Sequence, residues 1–188
     1  MRLAVTLFLL VLMCVFTAGL GPAPQTGEAE PAHTITGTVD LYSDLAAYLD
    51  VREAEFELIS ADRKEVLDEL ASYVRRRSES AEPAELIFVC THNSRRSHMS
   101  QIWAATAAAR EGVRIWTYSG GTESTAFNPR AVASIIRAGV RIEKTTEASN
   151  PVYHARISGK LPAMTSFSKP SHHDPNPHNE LGALLGCP

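Results

Sequence analysis

Four consecutive apolar residues, Leu86-Ile87-Phe88-Val89, run straight into Cys90. An unbroken apolar run suits a strand buried on both faces of a parallel sheet; a strand with one wet face would alternate. A polar stretch follows, Cys90 to Ser97, and then Met99 to Arg110 (MSQIWAATAAAR), strong helix formers that Gly112 ends. Val113-Arg114-Ile115-Trp116-Thr117-Tyr118 alternates as a second strand, and Ser119-Gly120-Gly121-Thr122 reads as a turn. Pro129 to Ala138 reads as a short helix with Pro129 near its first position and Gly139 at its end, and Val140-Arg141-Ile142 as a third strand. This order predicts an α/β fold, a parallel sheet with helices on both faces and right-handed crossovers. Ligands of such sheets bind beyond the carboxyl ends of the strands, which is where Cys90 falls. After Asn150-Pro151 the pattern fades. Prolines at 162, 170, 175 and 177 and the run Ser171-His172-His173-Asp174 predict loop, and Leu181 to Leu185 begins what reads as another buried strand.

Upstream, the chain divides into three stretches. Leu3 to Leu20 carries no charge and follows Met1-Arg2, the pattern of a secretory signal, with Thr17-Ala18-Gly19 offering small residues for cleavage. Residues 1–19 are therefore expected to be a signal peptide or, alternatively, an uncleaved anchor near the lower length limit for a bilayer. Cys14 is then an apolar filler. The protein is expected to be exported, periplasmic or secreted, or membrane-anchored; it would be cytoplasmic if the segment is not a true signal. Residues 20–39, rich in proline and glycine, read as a linker. Residues 40–82 read as a helical extension. Leu41, Leu45, Tyr48, Leu49 and Phe56 share one face, and Val66, Leu67, Leu70, Tyr73 and Val74 another, with Ser60 placed to cap the second helix. Arg75-Arg76-Arg77 sits where cations favour a helix end. Residues 83–188 form the α/β domain.

Composition narrows the function. With 44% hydrophobic and 21% charged residues among 188, the chain is an ordinary globular protein, and with 7% aromatics its core must be aliphatic. A net charge of −3 argues against a nucleic-acid partner. Three cysteines (Cys14, Cys90 and Cys187) cannot build a disulfide scaffold. His172, His173, His178, Asp174 and Cys187 match no zinc template, so no metal is expected.

The chemistry concentrates in Cys90-Thr91-His92-Asn93-Ser94-Arg95-Arg96-Ser97. Between a buried strand and a helix N-terminus, the backbone N–H groups of a tight loop turn inward and the helix dipole adds positive potential, which makes a site for a tetrahedral oxyanion. Arg96 offers a planar fork for two of its oxygens, and the amides of Thr91, His92, Asn93, Ser94 and Arg95 a cradle. The same field stabilises a thiolate, so Cys90 is the expected nucleophile, with Ser97 donating to its sulfur. His92 and His98 flank the loop, where either could tune Cys90 or contact substrate; His98 reads rather as a structural side chain on the helix surface, and Trp103 and Tyr118 as core.

These residues resemble the active-site loop of the low-molecular-weight protein tyrosine phosphatases and the thioredoxin-coupled arsenate reductases, which share a fold. Tyr118-Ser119-Gly120-Gly121-Thr122 resembles that family's Ser-Ala-Gly-Thr segment, and Asn128-Pro129-Arg130-Ala131-Val132 followed by Gly139-Val140 its Pro-Arg-Ala helix. The likeness covers about Leu86 to Ile142, and the segments Leu41 to Arg77 and Phe127 to Lys169 resemble a branch with an N-terminal helical extension. It implies phosphotyrosine-type ester hydrolysis through a cysteinyl-phosphate, acting on a phosphorylated protein or small aryl phosphate. Alternatively, it implies arsenate reduction, with no cofactor beyond thioredoxin or another thiol reductant. The family often has Gly where this chain has His92, a position that would suit φ > 0, and a second Cys where it has Arg95. The family's general acid is an Asp in an Asp-Pro pair. Asp174-Pro175 is such a pair, although the chain is expected to be incomplete at its C-terminus, ahead of the family's usual place for it. Cys187, after Leu184-Leu185-Gly186, resembles a resolving cysteine. A third reading is a shortened, inactive chain that binds oxyanions or a partner.

Overall fold

The computed structural model describes residues 38–79 and 83–177. The N-terminal apolar segment, most of the linker, the expected strand at Leu181 to Leu185, and Cys14 and Cys187 lie outside the described residues. The elements run α1 (Ser43–Glu53), a single 3₁₀ turn (Phe56–Leu58), α2 (Ala61–Ser78), β1 (Ala84–Cys90), α3 (Arg96–Glu111), β2 (Ile115–Gly121), α4 (Pro129–Arg137), β3 (Arg141–Lys144), β4 (Tyr153–Arg156) and β5 (Met164–Ser166). Among the described residues no helix is long and apolar enough to cross a membrane.

β1 and β2 pair in parallel, from Ala84 opposite Ile115 to Cys90 opposite Gly121. Helices flank this pair, so the chain has an α/β fold. α3 crosses between the two strands and packs on both, while α2 packs on β1. Every residue of α3 from Ser97 to Ala109 is buried, and its run of alanines lets neighbours approach closely. One neighbour is the helical extension. Tyr48 of α1 stacks on Trp103 of α3 with ring centroids 5.6 Å apart. Arg110 reaches from α3 to Asp50 (2.7 Å) and Glu53 (3.1 Å) of α1.

The punctuation residues act as their chemistry dictates. Gly112 ends α3 in the left-handed conformation, φ 69°. Pro129 opens α4, and the Asn128 side chain caps it by accepting from the Arg130 N–H at 3.0 Å. Gly139 has φ +101°, and a Cβ there would lie 2.3 Å from the backbone nitrogen of Leu45, so the end of α4 is pressed against α1. Ser60 occupies the N-cap position of α2 but makes no side-chain capping bond.

The sheet differs from expectation in two ways. β2 continues through Ser119, Gly120 and Gly121, residues read as a turn. The third strand does not extend the parallel sheet: β3 pairs antiparallel with β4, and β4 with β5, in a separate three-stranded sheet. The antiparallel pairing of β3 with β4 follows from their short connection. Residues 145–152 reverse the chain through Thr145 N–H to Val152 O (2.8 Å) and Val152 N–H to Thr146 Oγ1 (2.9 Å), too few residues for a crossover helix. β4 and β5 therefore occupy part of the stretch expected to be loop. The core is largely aliphatic with Phe88 and Phe127 almost fully buried, and Trp103 and Tyr118 are buried as expected.

Candidate active site

Strand β1 ends at Cys90, which is 7% exposed, and α3 begins at Arg96, so five residues make the turn between them. The carbonyl groups of Cys90, Thr91, His92 and Ser94 find partners outside the loop. Cys90 O accepts from Thr122 N–H (3.2 Å), Thr91 O from Glu123 N–H (2.7 Å), and Ser94 O from Asn128 N–H (2.8 Å). His92 O takes the hydroxyls of Thr125 (3.2 Å) and Ser168 (2.9 Å), and the Ser94 hydroxyl binds Ala126 O (2.7 Å). With its acceptors tied outward, the loop turns N–H groups inward, and those of Asn93, Ser94 and Ser97 bond to the Cys90 sulfur. Gly121 makes this tight fit possible, since a Cβ there would lie 2.7 Å from Asn93 N and 2.8 Å from Thr91 O.

Asn93 is the hub. It is fully buried and takes φ 40°, a conformation that Asn tolerates better than most residues. The left-handed position in the loop is therefore Asn93, not His92, so a His at position 92 carries no positive-φ penalty. Asn93 Oδ1 accepts from the Lys169 backbone N–H at 2.9 Å, and Nδ2 donates to Ser97 Oγ at 2.8 Å. Because Ser97 Oγ already accepts a proton there, its own hydrogen is free for Cys90 Sγ, 3.1 Å away. Burial pushes the Cys90 thiol up. The Ser97 hydroxyl and the N–H groups of Ser97, Ser94 and Asn93 more than offset this, and the thiol is held below its ordinary value.

The structure thus brings Cys90, Asn93, Ser94 and Ser97 together. Arg96 opens α3 and Arg95 occupies its N-cap position without a side-chain capping bond; both are half-buried. Thr91 and His92 line the outer side of the loop, with His92 Nε2 3.4 Å from Glu123 Oε2. Asp174 is exposed in the turn Ser171 to Asn176, which Asn176 pins to Ser119 O at 3.0 Å. Cys187 lies outside the described residues. Among the described residues no three His, Cys, Asp or Glu side chains form a metal-binding group.

Three participants escaped sequence reasoning, and a fourth, His98, lies elsewhere than expected. His98 is fully buried rather than on the helix surface: it stacks on Phe127 with centroids 4.2 Å apart and meets Ser119 Oγ through Nδ1 at 3.3 Å. Burial and the nearby Lys169 charge push its imidazole well below the ordinary histidine value, so it is neutral. Lys169 is 6% exposed, with its ammonium over the Phe167 ring at 4.8 Å, and burial lowers its pKa to about 8. Ser168 and Glu123 are the others. Their only signal was polarity inside stretches read as loop.

A segment of 68 residues is 38% identical to an arsenate reductase of Bacillus licheniformis, a match that covers 35% of this chain and 46% of that protein. The chain thus spans about half the length of the curated relative it matches. No family model and no solved structure matches it. The likeness supports an arsenate reductase-like or phosphatase-like protein, an enzyme of the oxidoreductase or phosphatase kind, at that coarse level.

Proposed function

We propose that this chain attacks arsenate through the Cys90 thiolate and carries it toward arsenite. The observation that bears this reading is the sulfur itself: buried at a strand end, ringed by three N–H groups and the Ser97 hydroxyl, and held below its ordinary pKa. A thiolate so placed is a nucleophile whose loop stabilises charge on a bound tetrahedral anion. Cys90 forms a sulfur–arsenic bond to hydrogen arsenate and one arsenic–oxygen bond breaks. That oxygen is the hydroxyl; with one further proton taken up it leaves as water, and arsenic stays pentavalent. A second thiolate then attacks the Cys90 sulfur. A disulfide forms, the sulfur–arsenic pair of electrons departs with arsenic, and two thiols are oxidised as arsenate becomes arsenite. The second thiol in this reading is Cys187 or an external reductant such as thioredoxin. Arg96 supplies the fork that grips the anion, with Arg95 adding charge at the rim.

Arsenate suits a site of this make-up because its departing oxygen can carry its own proton, whereas an ester must have its leaving alcohol protonated for it. The Ser97–Cys90 contact favours a second reading as well, hydrolysis of phosphomonoesters. There the sulfur must leave a cysteinyl-phosphate as thiolate, and a donor aimed at it assists that departure. The test is arsenate-dependent oxidation of thioredoxin or dithiothreitol by the full chain. Turnover that Cys90→Ser abolishes supports arsenate reduction. Hydrolysis of p-nitrophenyl phosphate without arsenate turnover transfers the proposal to the second reading. Neither activity refutes both.

A further inference from the structure

The connection between β3 and β4 carries a buried side-chain amide, Asn150, 6% exposed. It pairs with both polar groups of the Ser168 backbone: Oδ1 accepts from the N–H at 3.1 Å, and Nδ2 donates to the carbonyl at 2.8 Å. That carbonyl and the Lys169 N–H belong to one planar peptide unit and point opposite ways across it. The Lys169 N–H donates to Asn93 Oδ1 at 2.9 Å, so the plane is gripped at both ends, by Asn150 and by Asn93. A backbone N–H can only donate. It therefore turns Asn93 Oδ1 toward itself and leaves Nδ2 facing Ser97 Oγ, 2.8 Å away. The Ser97 hydrogen is then left for Cys90 Sγ at 3.1 Å. Every donor in this chain of four bonds faces the same way, from Asn150 toward the sulfur. Bonds aligned in this manner polarise one another and favour negative charge at the accepting end.

We propose that Asn150 is a positioning residue for Cys90, the anchor of a hydrogen-bond chain that aims the Ser97 proton at the sulfur; this rests on the reading of Cys90 as nucleophile. Asn150 acts by fixing the Ser168–Lys169 peptide plane. Without it that plane turns, and Asn93 loses the donor that sets its amide. The amide then flips, Ser97 donates to Asn93 Oδ1 instead, and the sulfur loses its hydroxyl donor. The strap itself stays docked, because Gly121 N–H holds the Lys169 carbonyl on the next peptide unit at 3.0 Å, and Ser171 N–H holds Gly121 O at 2.8 Å. Ser168 keeps its hydroxyl bonds to His92 O and from Thr125 N–H. Among the described non-glycine residues only Asn93 has a positive φ, so alanine at position 150 adds no backbone strain.

Alkylation of the full chain by iodoacetamide across a range of pH, followed by mass spectrometry on the peptide that contains Cys90, reads the thiolate directly. In Asn150→Ala the midpoint is expected to move up. Below the native midpoint the rate is expected to fall by roughly threefold or more, the worth of one hydrogen bond. Asn150→Ser, whose hydroxyl is too short to make both bonds, takes its place and moves the midpoint the same way where the alanine variant does not fold. Gly139→Ala weakens the fold at the seam of α1 and α4 and is expected to leave the midpoint where it is. Added to Ser97→Ala, the Asn150 substitution is expected to bring no further shift, because it acts through the Ser97 proton. The charged or titratable groups around the loop, Arg95, Arg96, the His92–Glu123 pair, and Lys169 beside neutral His98, are the same in every variant. A fall of less than threefold overturns the proposal. So does an equal shift in Gly139→Ala, or a full further shift in the Ser97→Ala background. A native midpoint no lower than that of an ordinary thiol refutes the nucleophile reading and the proposal with it.

Discussion

A thiol covered as fully as Cys90 should be a weaker acid than one in water, because burial penalises the thiolate. Its acidity therefore depends on donors, and the strongest single one is the Ser97 hydroxyl, whose proton is directed at sulfur because Asn93 occupies the oxygen. Removing it with Ser97→Ala should raise the Cys90 pKa, because the thiolate loses a hydrogen bond. The pH dependence of iodoacetamide alkylation measures this; an unchanged midpoint would assign the acidity to the backbone alone. Lys169 makes a second residue-scale prediction. Its pKa is about 8 in the fold against an ordinary 10.5. Between those values the unfolded chain holds a proton that the folded one has released, so this group makes stability rise with pH across that window. Below about pH 8 the folded protein carries a buried ammonium. Lys169→Met should therefore be more stable there, by up to a few kcal/mol, and the advantage should shrink as pH climbs toward 10.5. Chemical denaturation at pH 7 and pH 10 checks the sign.

Elements were legible where one short stretch settled them. Leu86 to Val89 fixed β1, and MSQIWAATAAAR with Gly112 fixed α3 to within a few residues. The eight residues from Cys90 to Ser97 contain the buried thiol and its main donor because strand end and helix start are neighbours in the chain. β4 and β5 were not legible: strands of four and three residues, flanked by prolines, are shorter than the window in which alternation can be seen. The outer half of the site was hidden for a related reason. Glu123, Ser168 and Lys169 reach the loop from 31 to 76 residues away, and only a formed chain brings them there. The seam between α1 and α4 gives the element-scale prediction. Gly139→Ala would force a Cβ against the Leu45 backbone at φ +101°, two faults at one position. Such a variant should lose at least 1–3 kcal/mol, seen as a lower midpoint in thermal unfolding. An unchanged midpoint would show that α1 is not seated on α4 as described.

For the whole molecule, the helical extension completes the core. Trp103 and the alanine face of α3 are covered by α1, and Val74, fully buried, is contributed by α2. A chain beginning at residue 83 would open that apolar surface to water, at about 25 cal/mol per Å². It is expected to be insoluble or to bind a hydrophobic dye such as ANS without a cooperative melt. A sharp thermal transition from that fragment would show the α/β unit to be self-sufficient.

The bond from Lys169 to Asn93 spans 76 residues, and Ser168 holds His92 over the same interval. On a ribosome, the sulfur at position 90 emerges long before the residues that brace its loop. During that interval it is an ordinary, sluggish thiol, indifferent to cellular anions and slow toward electrophiles. Reactivity arrives late, when the distant strap docks, so a nascent chain is shielded from its own chemistry by the order in which it is made.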